Sequence, residues 1–178
     1  DTCTPHRSET NGVVERAVQR VSEGTSVSIV QSGLNDVWWK EAMDCYCFLR
    51  CVVDILINGM TAFKTRFGVD FEGPLITFGA EVLYKPSSDQ DKARLPAFGT
   101  GVLEGIFMGY VQHAGGGWTG DLLIVDQQEM QDAERPSEVY LRRIMAPEVT
   151  VVKVAGSFRY PLAEKRIKQP EGNKTVGN

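Results

Sequence analysis

The carboxylate at position 15 stands in a run of residues suited to chemistry: Asn11-Gly12-Val13-Val14-Glu15-Arg16, with Arg20 four residues beyond Arg16. Read as the first turn of a helix, Glu15 sits where the helix dipole favours its ionised form; taken alone it is an ordinary exposed glutamate at a helix start. Arg16 and Arg20 fall on the exposed side, where they suit phosphate contacts; solvated surface charge is the competing reading. Asn11 is placed to cap the helix, its side chain accepting from an orphan backbone N–H. The cysteines offer less. Cys45, Cys47 and Cys51 form CxCxxxC in an apolar helical stretch, Cys3 lies far off, and His6 and His113 are the only histidines. Tetrahedral zinc needs paired ligands that this spacing does not give, so buried, reduced, metal-free thiols are expected. Gly115-Gly116-Gly117 has no following Gly-Lys-Ser/Thr and is not a phosphate loop. Trp118 offers a ring for stacking on a base or, more simply, for packing over the end of a β unit.

Two helices are expected to carry the first of these residues. Val14, Ala17, Val18 and Val21 make one apolar stripe, begun by Asn11 and stopped by Gly24. A second helix starts near Asn35 or Asp36 and repeats Trp39, Ala42, Met43, Tyr46, Leu49 and Val53, apolar around enough of its circumference to be buried, with Trp38 and Trp39 in the core. A short helical turn follows at residues 61–68. Near Glu72-Gly73-Pro74 the period changes to two: Ile76, Phe78, Ala80, Val82 and Tyr84 alternate as in a strand. Apolar runs at residues 102–110, 122–125, 139–144 and 149–152 suggest four more short strands, hence a small barrel or sandwich.

The chain has 178 residues, a hydrophobic share of 42%, and a net charge of −4, which allow a core but do not by themselves announce nucleic-acid binding. No apolar run approaches the roughly eighteen residues of a membrane span. Charge is unevenly spread. Asp121, Asp126, Glu129, Asp132, Glu134 and Glu138 crowd around a single Arg135, while the end carries Lys153, Arg159, Lys165, Arg166, Lys168 and Lys174 against Glu164 and Glu171. The basic end, residues 153–178, is read as a disordered tail whose Lys165, Arg166 and Lys168 could track a DNA backbone. Without an initiating Met or a signal peptide, the chain reads as part of a longer or processed product.

The stretch Thr4-Pro5-His6-Arg7-Ser8-Glu9-Thr10-Asn11-Gly12-Val13-Val14-Glu15-Arg16 resembles the last catalytic motif of retroviral-type integrases, especially the copia retrotransposon branch. Ser32-Gly33-Leu34, Trp38-Trp39 and Glu41-Ala42 are similar to that branch's next helix. Gly59-Met60-Thr61-Ala62-Phe63 is similar to its Gly-x-Thr-Pro-Tyr stretch, with Ala62 and Phe63 replacing Pro and Tyr. Phe78-Gly79 and Gly105-Ile106-Phe107-Met108-Gly109-Tyr110 resemble the β segments after the core. The resemblance runs in order over residues 4–126.

It implies an α+β chain: the carboxyl-terminal helices of a ribonuclease H-like integrase core (1–70), a small SH3-like β barrel (74–152) and the basic tail (153–178). It also implies two-metal phosphoryl transfer, with Glu15 as the third of three carboxylates that hold Mg²⁺ or Mn²⁺ while a DNA 3′-hydroxyl attacks a phosphodiester. Asn11, Arg16, Arg20, Lys165, Arg166 and Lys168 are the expected DNA contacts. The family's two Asp precede the Glu on core strands. Asp1 stands only fourteen positions before Glu15 in a loop and does not serve, so the core sheet, both Asp and the zinc-binding module are expected upstream. This chain alone should then hold no metal tightly and catalyse nothing. Its expected partners are element-end and target DNA, the upstream core and a possible second copy, in the nucleus or cytoplasm, away from membranes. The alternative is a non-catalytic nucleic-acid-binding or protein-interaction β module; an affinity that falls steeply with salt would mark the DNA-binding form.

Overall fold

The computed structural model describes residues 8–172. Helix α1 runs Ser8–Ser32 and α2 Trp39–Val53, joined by a 3-10 turn at Asp36–Trp38. α1 is longer than its sequence punctuation suggests. Asn11 lies inside it rather than capping it, and Gly24 does not end it. The polar run after Val21 stays helical because its hydroxyls bond back one turn: Thr25 Oγ1 donates to the Val21 carbonyl (2.7 Å) and Ser28 Oγ to the Gly24 carbonyl (2.9 Å). Gly24 serves packing instead. A Cβ there would fall 2.1 Å from Cζ of Tyr46 on α2. The helix ends at Gly33, in the left-handed region at φ 75°, whose N–H returns to the Ile29 carbonyl (3.1 Å).

α2 buries Ala42, Cys45 and Phe48 on one face. Trp38 is buried beside them, whereas Trp39 is 56% exposed, so only one of the two tryptophans belongs to the core. α3 (Ala62–Phe67) starts where Thr61 Oγ1 accepts from the Lys64 N–H (3.1 Å) and stops at left-handed Gly68. Residues 76–80 do not form the expected strand. The Ile76 N–H instead donates to the Tyr110 hydroxyl (2.9 Å), and Gly79, at φ 81°, donates to the Phe107 carbonyl (2.8 Å).

The strands are β1 (Glu81–Tyr84), β2 (Leu103–Gln112), β3 (Trp118–Asp126), β4 (Arg142–Met145) and β5 (Val149–Val151). Short helices interrupt them: α4 (Asp89–Lys92) after β1 and α5 (Gln127–Asp132) after β3. The five strands make one antiparallel sheet in the order β4-β3-β2-β1-β5. A 3-10 turn at Ala146–Glu148 carries the chain from β4 to β5, which pairs back onto β1. The molecule is therefore α+β, as read from the sequence. β2 is buried from Gly105 to Tyr110 without alternation, because α2 covers it as well as the sheet interior.

Two expected boundaries do not hold. The first is the break near residues 70–74. Phe48 of α2 stacks on Tyr110 of β2 (4.5 Å between centroids) and meets Phe71 edge-on (5.4 Å), and Phe71 rests on Trp118 of β3 (5.1 Å). Helices and sheet thus share one core, since the stripe of α2 finds its apolar partner on β2. The second is the tail. Residues 153–172 are folded: β6 (Lys153–Val154) and β7 (Ser157–Phe158) form a hairpin turned by Ala155 and Gly156, both at positive φ. The chain then lays down Pro161, Leu162 and Pro170, all buried. Gln169 Nε2 donates to the Gly33 carbonyl (2.6 Å), and its Oε1 accepts from the Asn35 N–H (2.9 Å). Apolar residues spaced among the charges, Leu162 above all, supply the burial that a solvated tail lacks.

Candidate functional site

Glu15 is the eighth residue of α1, past the first turn, so the helix dipole acts on it more weakly than its sequence position promised. Its side chain is exposed, and no described side chain pairs with it. Arg16 Nε donates back to the Gly12 carbonyl (3.1 Å), and Arg20 forms an exposed ion pair with Asp54 (3.2 Å), which also takes Arg50 (3.0 Å). Asn11 is exposed on the same half of the helix. Glu15, Arg16 and Arg20 are therefore one neighbourhood, with one of its two cations already neutralised. Among the described residues no group of three or more His, Cys, Asp or Glu could hold a metal ion.

The basic residues near the end do not join them. Ala163 lies against Gly33, at the far end of α1; a Cβ on Gly33 would fall 2.3 Å from the Ala163 nitrogen. Glu15 is eighteen residues along the helix from there, roughly 27 Å at the helical rise. Arg166 is committed to structure, bound to Glu81 of β1 and to Glu164 (2.9 Å). Its guanidinium is held protonated well above the ordinary arginine value, first by the hydrogen bond to Glu81. Lys165 and Lys168 remain exposed.

The densest set of charges is one the sequence reading missed. Asp126, at the end of β3, is 1% exposed; it accepts from the Tyr84 hydroxyl (2.6 Å), from Arg94 (2.9 Å) and from the Glu129 N–H (2.9 Å). Arg142 of β4 binds Asp91 of α4 (2.7 Å) and Glu129 of α5 (2.7 Å), and Glu129 accepts from the Tyr140 N–H (2.6 Å). Burial pushes the Asp126 carboxyl up, but the bonds from Arg94, Tyr84 and the Glu129 amide outweigh it and hold it below its ordinary value. Asp91 is held low chiefly by its hydrogen bond from Arg142. Burial, then the bond to Asp126, pushes the Tyr84 hydroxyl up. The network pins the loops after β1 and β3 to the sheet. Its one legible signal was Tyr84, an inward strand position whose hydroxyl needs a partner. In the sequence Asp126 and Glu129 stand out only as members of an acidic run around Arg135.

Trp118 is half-buried, donating from Nε1 to the Asp121 carbonyl (2.8 Å) and packed on Phe71, so it packs within the fold rather than standing free for a base. Cys45 is buried, and burial raises its thiol; Cys47 is half-buried and Cys51 exposed, which corrects the expectation that all are buried. Cys3, His6, Glu9's side chain and Lys174 lie outside what is described. No described helix is long and apolar enough to cross a membrane. No protein-family model, curated protein or solved structure matches the chain.

Proposed function

We propose that this chain is the carboxyl-terminal part of a copia-type retrotransposon integrase, in which Glu15 is the third carboxylate of a metal-dependent strand-transfer site. The observation that carries the reading is the ordered run of motifs from Thr4 to Tyr110, with Glu15 followed by Arg16 at the end of its first block. Two structural features support it. Glu15 and Arg16 are exposed on one helix, as a residue must be that completes a site made with other segments. The β4-β3-β2-β1-β5 order, with a 3-10 turn before β5, suits an SH3-like barrel.

The donor set described does not fit two divalent ions. One exposed carboxylate cannot replace the several well-placed oxygens that magnesium needs before it gives up water. The chain alone should therefore show no strand transfer with Mg²⁺ or Mn²⁺. Joined to an upstream core bearing the two Asp, it should become active, and Glu15→Gln should abolish that activity while Glu9→Gln leaves it nearly intact. Activity that survives Gln at position 15 would sink the assignment.

A non-catalytic interaction module is the second reading. It is favoured by the shared core of α2 and the sheet and, among the described residues, by the commitment of Arg20 to Asp54 and of Arg166 to Glu81. A DNA affinity whose logarithm falls linearly with log salt marks a DNA-binding chain, integrase or nucleic-acid module alike, and restored strand transfer then separates those two; the absence of such an affinity leaves the protein-interaction module.

A further inference from the structure

α2, α3 and the β2–β3 hairpin line an open pocket of about 310 Å³. Cys47 and Cys51 both line it, four residues apart on α2 and so neighbours on one helix face. Both are free thiols. Phe48, Phe63 and Phe67 form apolar walls, and the Arg66 guanidinium and Asp44 carboxylate complete the lining. Two sulfurs on one face of a helix can ligate one soft cation. Zinc is not that cation, because it takes four ligands and no described cluster of three exists. Soft thiolates select the cuprous ion, which is satisfied by two sulfurs.

We propose that Cys47 and Cys51 form a two-thiol site for one cuprous ion at the mouth of this aromatic-lined pocket. The site is independent of the integrase reading. Each thiol releases its proton to solvent as its sulfur lone pair binds the ion, so one Cu⁺ and two thiols give a bis-thiolate complex of charge −1 and two protons. No electron is transferred. Arg66 offsets the added negative charge, and affinity rises with pH because protons are released.

The test uses the full chain carrying Cys3→Ser, under strictly anaerobic conditions, with Cu(I) added in competition with a bathocuproine chelator. The expected result is one equivalent retained, with an ultraviolet thiolate-to-copper band and protection of Cys47 and Cys51 from iodoacetamide, read by mass spectrometry on the unsubstituted pair. Cys47→Ser and Cys51→Ser should each abolish retention against the chelator, because one sulfur is left where a soft ion selects two. Failure to compete with the chelator overturns the proposal. So does copper that leaves both residues open to alkylation, or retention unchanged in either variant.

Discussion

At Gly24 the absence of a side chain is what lets two helices meet. An alanine there gains about 1 kcal/mol of helix propensity, but its methyl runs into the Tyr46 ring, and overpacking of this kind costs about 1–3 kcal/mol. Gly24→Ala should lower the melting temperature in the intact chain and raise it in a Tyr46→Ala background; the same sign in both would show that the contact is not the reason for the glycine. The buried charges make a second residue-scale prediction, about pH. Asp91 and Asp126 titrate below their ordinary value in the folded chain, so the folded state holds fewer protons than the unfolded state as they are titrated. Their stabilisation is fully present above about pH 4, the usual aspartate range, and is lost as pH falls below it. Tyr84 is shifted the other way: the folded state keeps its proton, so stability falls as pH rises past about 10. Denaturant melts from pH 2 to 11 should show both limbs. Asp126→Asn should flatten the acid limb. An unchanged limb in that variant would remove Asp126 from the account.

At the scale of elements, the last twenty described residues act as a strap. Ending the chain after residue 152 removes the burial of Pro161, Leu162 and Pro170, the Arg166–Glu81 pair and the cap that Gln169 places on Gly33. Leu162→Ala alone should cost about 2–5 kcal/mol, and the truncation should cost more; equal melting temperatures for the truncated and full chains would show the strap to be ornamental. This element also shows where the sequence was hard to read. Strands were legible because alternation at Val82 and Tyr84 and the runs around Ile106 and Ile124 report burial directly. The strap was not, because its apolar residues are single and widely spaced among Arg and Lys, and only the partner surface turns them inward. Gly24 misled for a related reason. A glycine that breaks a helix and a glycine that admits a neighbouring ring look the same until the neighbour is known. Of the candidate site, the exposure of Glu15 and Arg16 was legible locally, whereas the commitment of Arg20 to Asp54 and of Arg166 to Glu81 depends on residues 34 and 85 positions away.

For the molecule as a whole, the sharing of Phe48, Phe71, Tyr110 and Trp118 between helices and sheet means one cooperative unit rather than two domains. Residues 70–165 expressed alone would bare the face of β2 that α2 covers, and should melt well below the full chain or fail to fold, whereas the full chain should unfold in a single transition by both circular dichroism and tryptophan fluorescence. A fragment as stable as the whole would restore the boundary near Pro74. The bond from Gln169 to Gly33 has one more consequence, and it concerns time. It joins groups 136 residues apart, so it closes a loop of about three quarters of the 178-residue chain. Contacts of such long range are slow to form because the loop-closure entropy must be met before they give anything back. During synthesis the Gly33 carbonyl must wait for this partner until 136 further residues have been made. The strap is thus the last piece to arrive and, by the same logic, the first to leave: native-state hydrogen exchange should find the Asn35 amide opening ahead of the amides of β2 and β3.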